Sequence, residues 1–109
     1  MEKIRIKYET GWMELNVGAF FPCTVQKARK VFPLISRYCS DADKAELMSV
    51  LQEMTDGYQA LCDMYRQKSS AYFWNKKEKK HWLSEFRKTE VLRKRAVKNI
   101  EVFRKSEKN

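Results

Sequence analysis

The residues of this chain best suited to chemistry with a partner are cations. At about 100° per residue, Lys76, Lys77, Lys80, Arg87, Lys88, Lys94, Arg95, Lys98 and Lys105 fall on one side of a helix, opposite Trp82 and Ile100. Glu78, Glu85 and Glu107 fall on the apolar side, and Glu90 and Glu101 at the border. A face that only meets water normally mixes signs, because like charges four residues apart destabilise a helix by a few tenths of a kcal/mol. Val91 and Val102 project into the same face, where a solvating surface has no use for them. These features point to a surface built to meet something negative. The competing reading is a solvated Lys-rich helix, since Lys is a good helix former.

Aromatic rings stand beside these cations. Tyr72-Phe73-Trp74 comes just before Lys76-Lys77-Glu78-Lys79-Lys80-His81-Trp82. Single-strand binding uses this interleaving: cations track the backbone and rings stack on bases. Three consecutive aromatics cannot all face one core from a helix, so at least one is exposed or lies in a loop packed against another element. Core anchoring, nucleobase stacking and a protein interface are the three readings, and core anchoring asks least of the sequence.

No named catalytic site assembles. The single histidine, His81, lies in a run of lysines that does not prepare it as a base. Gly11, Gly18 and Gly57 stand alone, so there is no phosphate-cradling loop. No nucleophile elbow or metal-binding H-E-x-x-H occurs. Asp41 and Asp43 are explained by a helix start. Cys23, Cys39 and Cys62 are odd in number and widely spaced, which argues against a disulfide framework. A zinc site combining them with His81 would draw four ligands from distant segments, so buried free thiols are the simpler expectation. The chain is expected to be non-enzymatic, with no cofactor, metal or small-molecule substrate.

The elements that must position these residues are legible from periodicity. The 109 residues are 43% hydrophobic and 13% aromatic, too apolar for disorder and enough for a single domain over 1–109. Three Gly and two Pro predict few turns and long elements. Ile4, Ile6 and Tyr8 alternate with Lys3, Arg5 and Lys7, and Met13, Leu15 and Val17 alternate with Glu14 and Asn16. This predicts a β-hairpin within 3–18, with strands over 3–9 and 12–18. Thr10-Gly11 would supply the positive φ of a tight turn. A connector over Gly18 to Pro22 carries Phe20 and Phe21 inward.

A first helix is expected over 24–39, with Thr24 as cap and Val25, Ala28, Val31, Phe32, Ile35 and Tyr38 on one face. Pro33 should kink or break it. A second helix, 41–68, starts at Ser40-Asp41 and carries Leu47, Met48, Leu51, Met54, Thr55, Tyr58, Leu61, Cys62 and Tyr65 at helical spacing. Ser69-Ser70 would mark a turn. The third helix, 71–105, has the inner stripe Trp82, Phe86, Thr89, Leu92, Ala96, Ile100 and Phe103. The predicted fold is therefore α+β in the order ββααα. Its last two helices form a long antiparallel helical hairpin, and the β-hairpin packs across them.

Charge follows the elements. Residues 76–109 hold 13 Lys/Arg and 5 Glu, a balance of +8, within a formal total of +9. Residues 40–63 hold six acids and only Lys44. The domain should be electrically two-sided.

No secretory h-region follows Met1-Glu2-Lys3, and Leu15 to Val25 is too short to span a bilayer. A cytoplasmic protein with no membrane partner is expected. The first expectation for function is a DNA- or RNA-binding accessory protein that uses the basic face. The alternative is a protein-binding inhibitor or adaptor. In size and charge the chain resembles accessory proteins of phages and mobile elements, the anti-CRISPR inhibitors among them. Some such inhibitors occupy basic channels with acidic surfaces, and others bind guide RNA or DNA. With that resemblance, the basic face here would suit a nucleic-acid-loaded target better than an empty positive channel, and no residue is assigned by it. A third expectation is a homodimer through the strand edges at 3–9 or 13–17.

Overall fold

The alternation at the N-terminus produces a hairpin. In the computed structural model, which describes residues 2–108 (for Lys108 the backbone only), β1 (Lys3–Tyr8) pairs antiparallel with β2 (Gly11–Asn16). Ile4 lies opposite Leu15 and Ile6 opposite Met13. Ile4, Ile6 and Leu15 are buried, while Lys3, Arg5, Lys7, Trp12 and Glu14 form the exposed face. There Glu14 pairs with Lys3 at 3.3 Å and with Arg5 at 3.7 Å, and the Arg5 guanidinium lies 4.7 Å from the Trp12 ring centre.

Both strands are shorter than expected. The turn falls at Glu9–Thr10, and no described residue has a positive φ, so Gly11 is a strand residue rather than a hinge. The expected connector is partly helical. It forms a single turn, α1 (Val17–Phe20), capped by Asn16, whose side-chain oxygen accepts from the Ala19 N–H at 3.2 Å. The Val17 N–H donates to the Glu2 carbonyl at 2.9 Å and ties this turn to the start of the chain.

The first long element after it is α2 (Val25–Tyr38), with Thr24 accepting from the Lys27 N–H at 3.4 Å. α2 runs unbroken through Pro33, so the helix is not split there. Pro33 is exposed, and water can reach the Arg29 carbonyl that loses its helical partner.

α3 (Asp41–Ala71) starts at Ser40, whose hydroxyl accepts from the Asp43 N–H at 3.1 Å. It also passes through Ser69-Ser70, where a turn was expected. Ser69 is buried inside the helix because its hydroxyl donates to the Arg66 carbonyl at 2.9 Å and so needs no outside partner. The reversal comes at 72–75, and α4 (Lys76–Lys108) returns antiparallel, starting five residues later than the sequence suggests.

The main core lies at one end of this helical hairpin. Phe32 stacks on Phe21 at 5.3 Å and meets Phe103 edge-on at 4.9 Å. Ile4, Ile6, Ile35, Leu47, Leu51 and Ile100 close around them. The β-hairpin leans chiefly on α2 rather than across the two long helices.

α4 is buried on two sides here. Besides the stripe toward α3, Asn99 is fully buried and Val102 packs half-buried against the core. Val102 therefore does not belong to the open basic face. α2 and the loop before it cover that side.

The molecule measures 61 × 22 × 22 Å, with a radius of gyration of 17.1 Å. A compact chain of this length would have about 13 Å. The excess comes from the helical hairpin, which runs on past the core as a two-helix arm. At 1.5 Å per residue, the end of α3 stands about 30 Å beyond Leu51.

Candidate nucleic-acid interface

The arm is held together by side chains between its two helices. Cys62, Ser69 and Thr89 are buried, and Tyr65 stacks on Trp82 with ring centres 5.8 Å apart. Trp82 is gripped from several sides. Lys68 Nζ lies 4.9 Å from its ring centre, and its indole N–H donates to Glu78 at 3.2 Å. The Arg66 guanidinium lies 5.1 Å from the centre of Phe86.

α4 begins cleanly because the Asn75 side chain accepts from the N–H groups of Lys77 at 3.1 Å and Glu78 at 3.2 Å. That fixes the helical phase of every cation that follows.

All nine cations singled out from the sequence are exposed. They are not equivalent. Lys88 pairs with Glu85 at 3.5 Å, Lys94 with Glu90 at 3.0 Å and Lys98 with Glu101 at 3.1 Å. The hydrogen bond from Lys94 holds the Glu90 carboxyl below the ordinary carboxylate range. Lys76, Lys77, Lys80, Arg87, Arg95 and Lys105 make no ion pair among the described residues. The unpaired charge therefore gathers toward the outer end of the arm.

There Lys76, Lys79, Lys80, Leu83, Ser84, Arg87 and Lys88 line a shallow groove of about 480 Å³ with no carboxylate in its wall. Its wall is mostly apolar, from Leu83 and the aliphatic stems of the lysines and Arg87, the way long cations line a groove while their charged heads stay in water. Leu83 and Ser84 were not picked out from the sequence, and Lys79 only as part of the basic run after the aromatics. Their spacing from Lys76 and Lys80, three or four residues at each step, is the signal that places them together.

α3 adds Arg66 and Lys68 at the same end, so residues 64–88 hold eight Lys/Arg and two Glu. The acids of α3 lie nearer the core, with Glu53, Asp56 and Asp63 exposed. The charge is two-sided along the core and positive on both helices toward the tip.

Of the three consecutive aromatics, Tyr72 is half-buried, while Phe73 is 73% and Trp74 68% exposed. They occupy the reversal itself, at the far end from the core, so Phe73 and Trp74 do not anchor it. Tyr72 and Trp74 lie 6.1 Å apart, centre to centre. Val91 is 51% exposed on the outer side of α4.

Burial pushes the thiols of Cys23, Cys39 and Cys62 up. Among the described residues no three His, Cys, Asp or Glu side chains come together to hold a metal, and no helix is long and apolar enough to cross a membrane. No family, no curated protein and no solved structure matches the chain.

Proposed function

We propose that the protein binds nucleic acid, without catalysing a reaction on it, through the basic side of α4. The observation that carries this reading is the run of exposed cations on α4 that make no ion pair among the described residues, culminating in a groove without carboxylates. From Lys76 to Lys105 these heads span about 44 Å. Lys and Arg there meet phosphates, which gives affinity with little sequence information. The cytoplasm is the setting that suits this role and keeps the three free thiols reduced.

The test is a titration into labelled single- and double-stranded DNA and RNA at two salt concentrations. With about six phosphate contacts, log affinity should fall with log salt at a slope of about −5 on duplex and about −4 on single strands. Replacing Lys80→Glu and Arg87→Glu should weaken binding at low salt and flatten the slope by about 2. A salt-independent affinity defeats the proposal.

The exposed tip favours a second reading, an inhibitor or adaptor that seats Phe73 and Trp74 in a pocket of a nucleic-acid-loaded target. Capture of a protein that survives nuclease treatment, and is lost in Phe73→Ala/Trp74→Ala, would support it.

A further inference from the structure

We infer that the tip of the arm is a stacking site for unpaired nucleobases, so that the protein selects single-stranded nucleic acid over continuous duplex. This rests on the reading of α4 as a phosphate-binding surface and adds what that surface alone lacks, a means of telling a single strand from a duplex.

Four observations carry it. The first is exposure. Phe73 and Trp74 are the two most exposed large apolar residues described, and they are adjacent. Neither belongs to the main core, which lies at the opposite end of the molecule.

The second is rigidity. The Tyr72 N–H donates to the Lys68 carbonyl at 3.1 Å, the Phe73 N–H to Ser70 at 3.3 Å, and the Asn75 N–H to Tyr72 at 3.0 Å. Asn75 then caps α4. The rings sit on a hydrogen-bonded turn between two long helices, so presenting them to a ligand orders little additional backbone.

The third is continuity of charge. Lys76, Lys77 and Lys80 follow within two turns of Trp74, and the groove of Lys79, Leu83 and Arg87 continues from them. A strand whose base lies on the tip has its phosphates over these cations.

The fourth is width. Two packed helices of about 10 Å each are too broad for their blunt end to enter a major groove about 12 Å wide. In an intact duplex the faces of the bases are covered by their neighbours. The rings at the end of such an arm reach a base face only where a base is unpaired. Stacking on a ring is tolerant of base identity and strong enough to set the preference.

The experiment compares three probes on the full-length protein at low salt: a short oligothymidylate, the same phosphodiester chain without bases, and a duplex of equal length. Wild type should bind the oligothymidylate about tenfold or more tighter than the abasic chain. Phe73→Ala/Trp74→Ala should lose that advantage and leave abasic binding unchanged. Trp74→Phe should keep most of the affinity while removing fluorescence quenching on binding, which marks contact at that ring. Both positions are exposed, and an unchanged circular dichroism spectrum confirms that the variants fold.

If the double variant matches wild type on all three probes while binding stays salt-sensitive, stacking is overturned and the phosphate-binding surface stands. If no probe binds at low salt, the underlying reading fails first. If the double variant instead loses sedimentation with anionic phospholipid vesicles and keeps its oligothymidylate affinity, the rings serve a lipid surface and the proposal is overturned.

Discussion

Asn99 does more for the fold than its residue type suggests. Its carboxamide oxygen accepts from the Cys23 N–H at 3.0 Å and from the Cys23 thiol at 3.4 Å, and its Nδ2–H donates to the Cys23 carbonyl at 2.8 Å. One side chain thus satisfies both backbone groups of a buried loop residue 76 positions away. Asn99→Ala should destabilise the protein by about 2–4 kcal/mol, because two backbone groups stay buried without partners. Asn99→Asp should do at least as badly at neutral pH, since a carboxylate cannot donate to the Cys23 carbonyl. Urea midpoints for both variants check this, and a midpoint within error of wild type would refute it. Nothing in the sequence singles out Asn99. It lies at the edge of the apolar stripe of α4, three residues from Ala96 and four from Phe103, where an amide reads as the solvent border, and its full burial depends on α2 docking there. Val102 was misread for the same reason. A helical pattern shows one buried face readily but cannot tell that another element covers a second.

The long helices were the easiest elements to read. Leu47, Leu51, Cys62 and Tyr65 on one side, and Trp82, Ala96, Ile100 and Phe103 on the other, keep a helical period over many turns. Local signals that compete with that period were less dependable. Ser69-Ser70 resembles a turn and Pro33 a helix break, yet packing and exposure let both helices continue. Gly57 is a third weak point. It sits exposed inside α3, and a Cβ built there meets nothing within 4 Å. Gly57→Ala should therefore stabilise the protein by about 0.5–1 kcal/mol through the helix and the unfolded chain. Thermal unfolding should show a rise in Tm of a few degrees, and a fall would mean that α3 bends or is contacted at Gly57. The candidate site was half legible. Its cations follow from spacing, but their division into paired and unpaired groups depends on which carboxylates the side chains reach.

The molecule as a whole is a packed base carrying a slender arm, and its length is not written in any single periodic stripe. Two amphipathic helices of similar length fit a compact bundle equally well. What makes the rod is that the third helical layer, α2, has 14 residues against 31 in α3 and 33 in α4. The arm therefore lacks a third layer, and its free energy of opening should fall steadily from base to tip. Amide hydrogen exchange gives that gradient a scale. Amides around Leu47, Leu51 and Phe103 should exchange only through global unfolding, whereas those near Ser70 and Lys80 should exchange through local unzipping, orders of magnitude faster. Uniform protection along α3 and α4 would contradict this. A graded rod of this kind confines its openings to the outer turns while its base stays shut, so a ligand that holds the tip closed should slow exchange there and leave the base as it was.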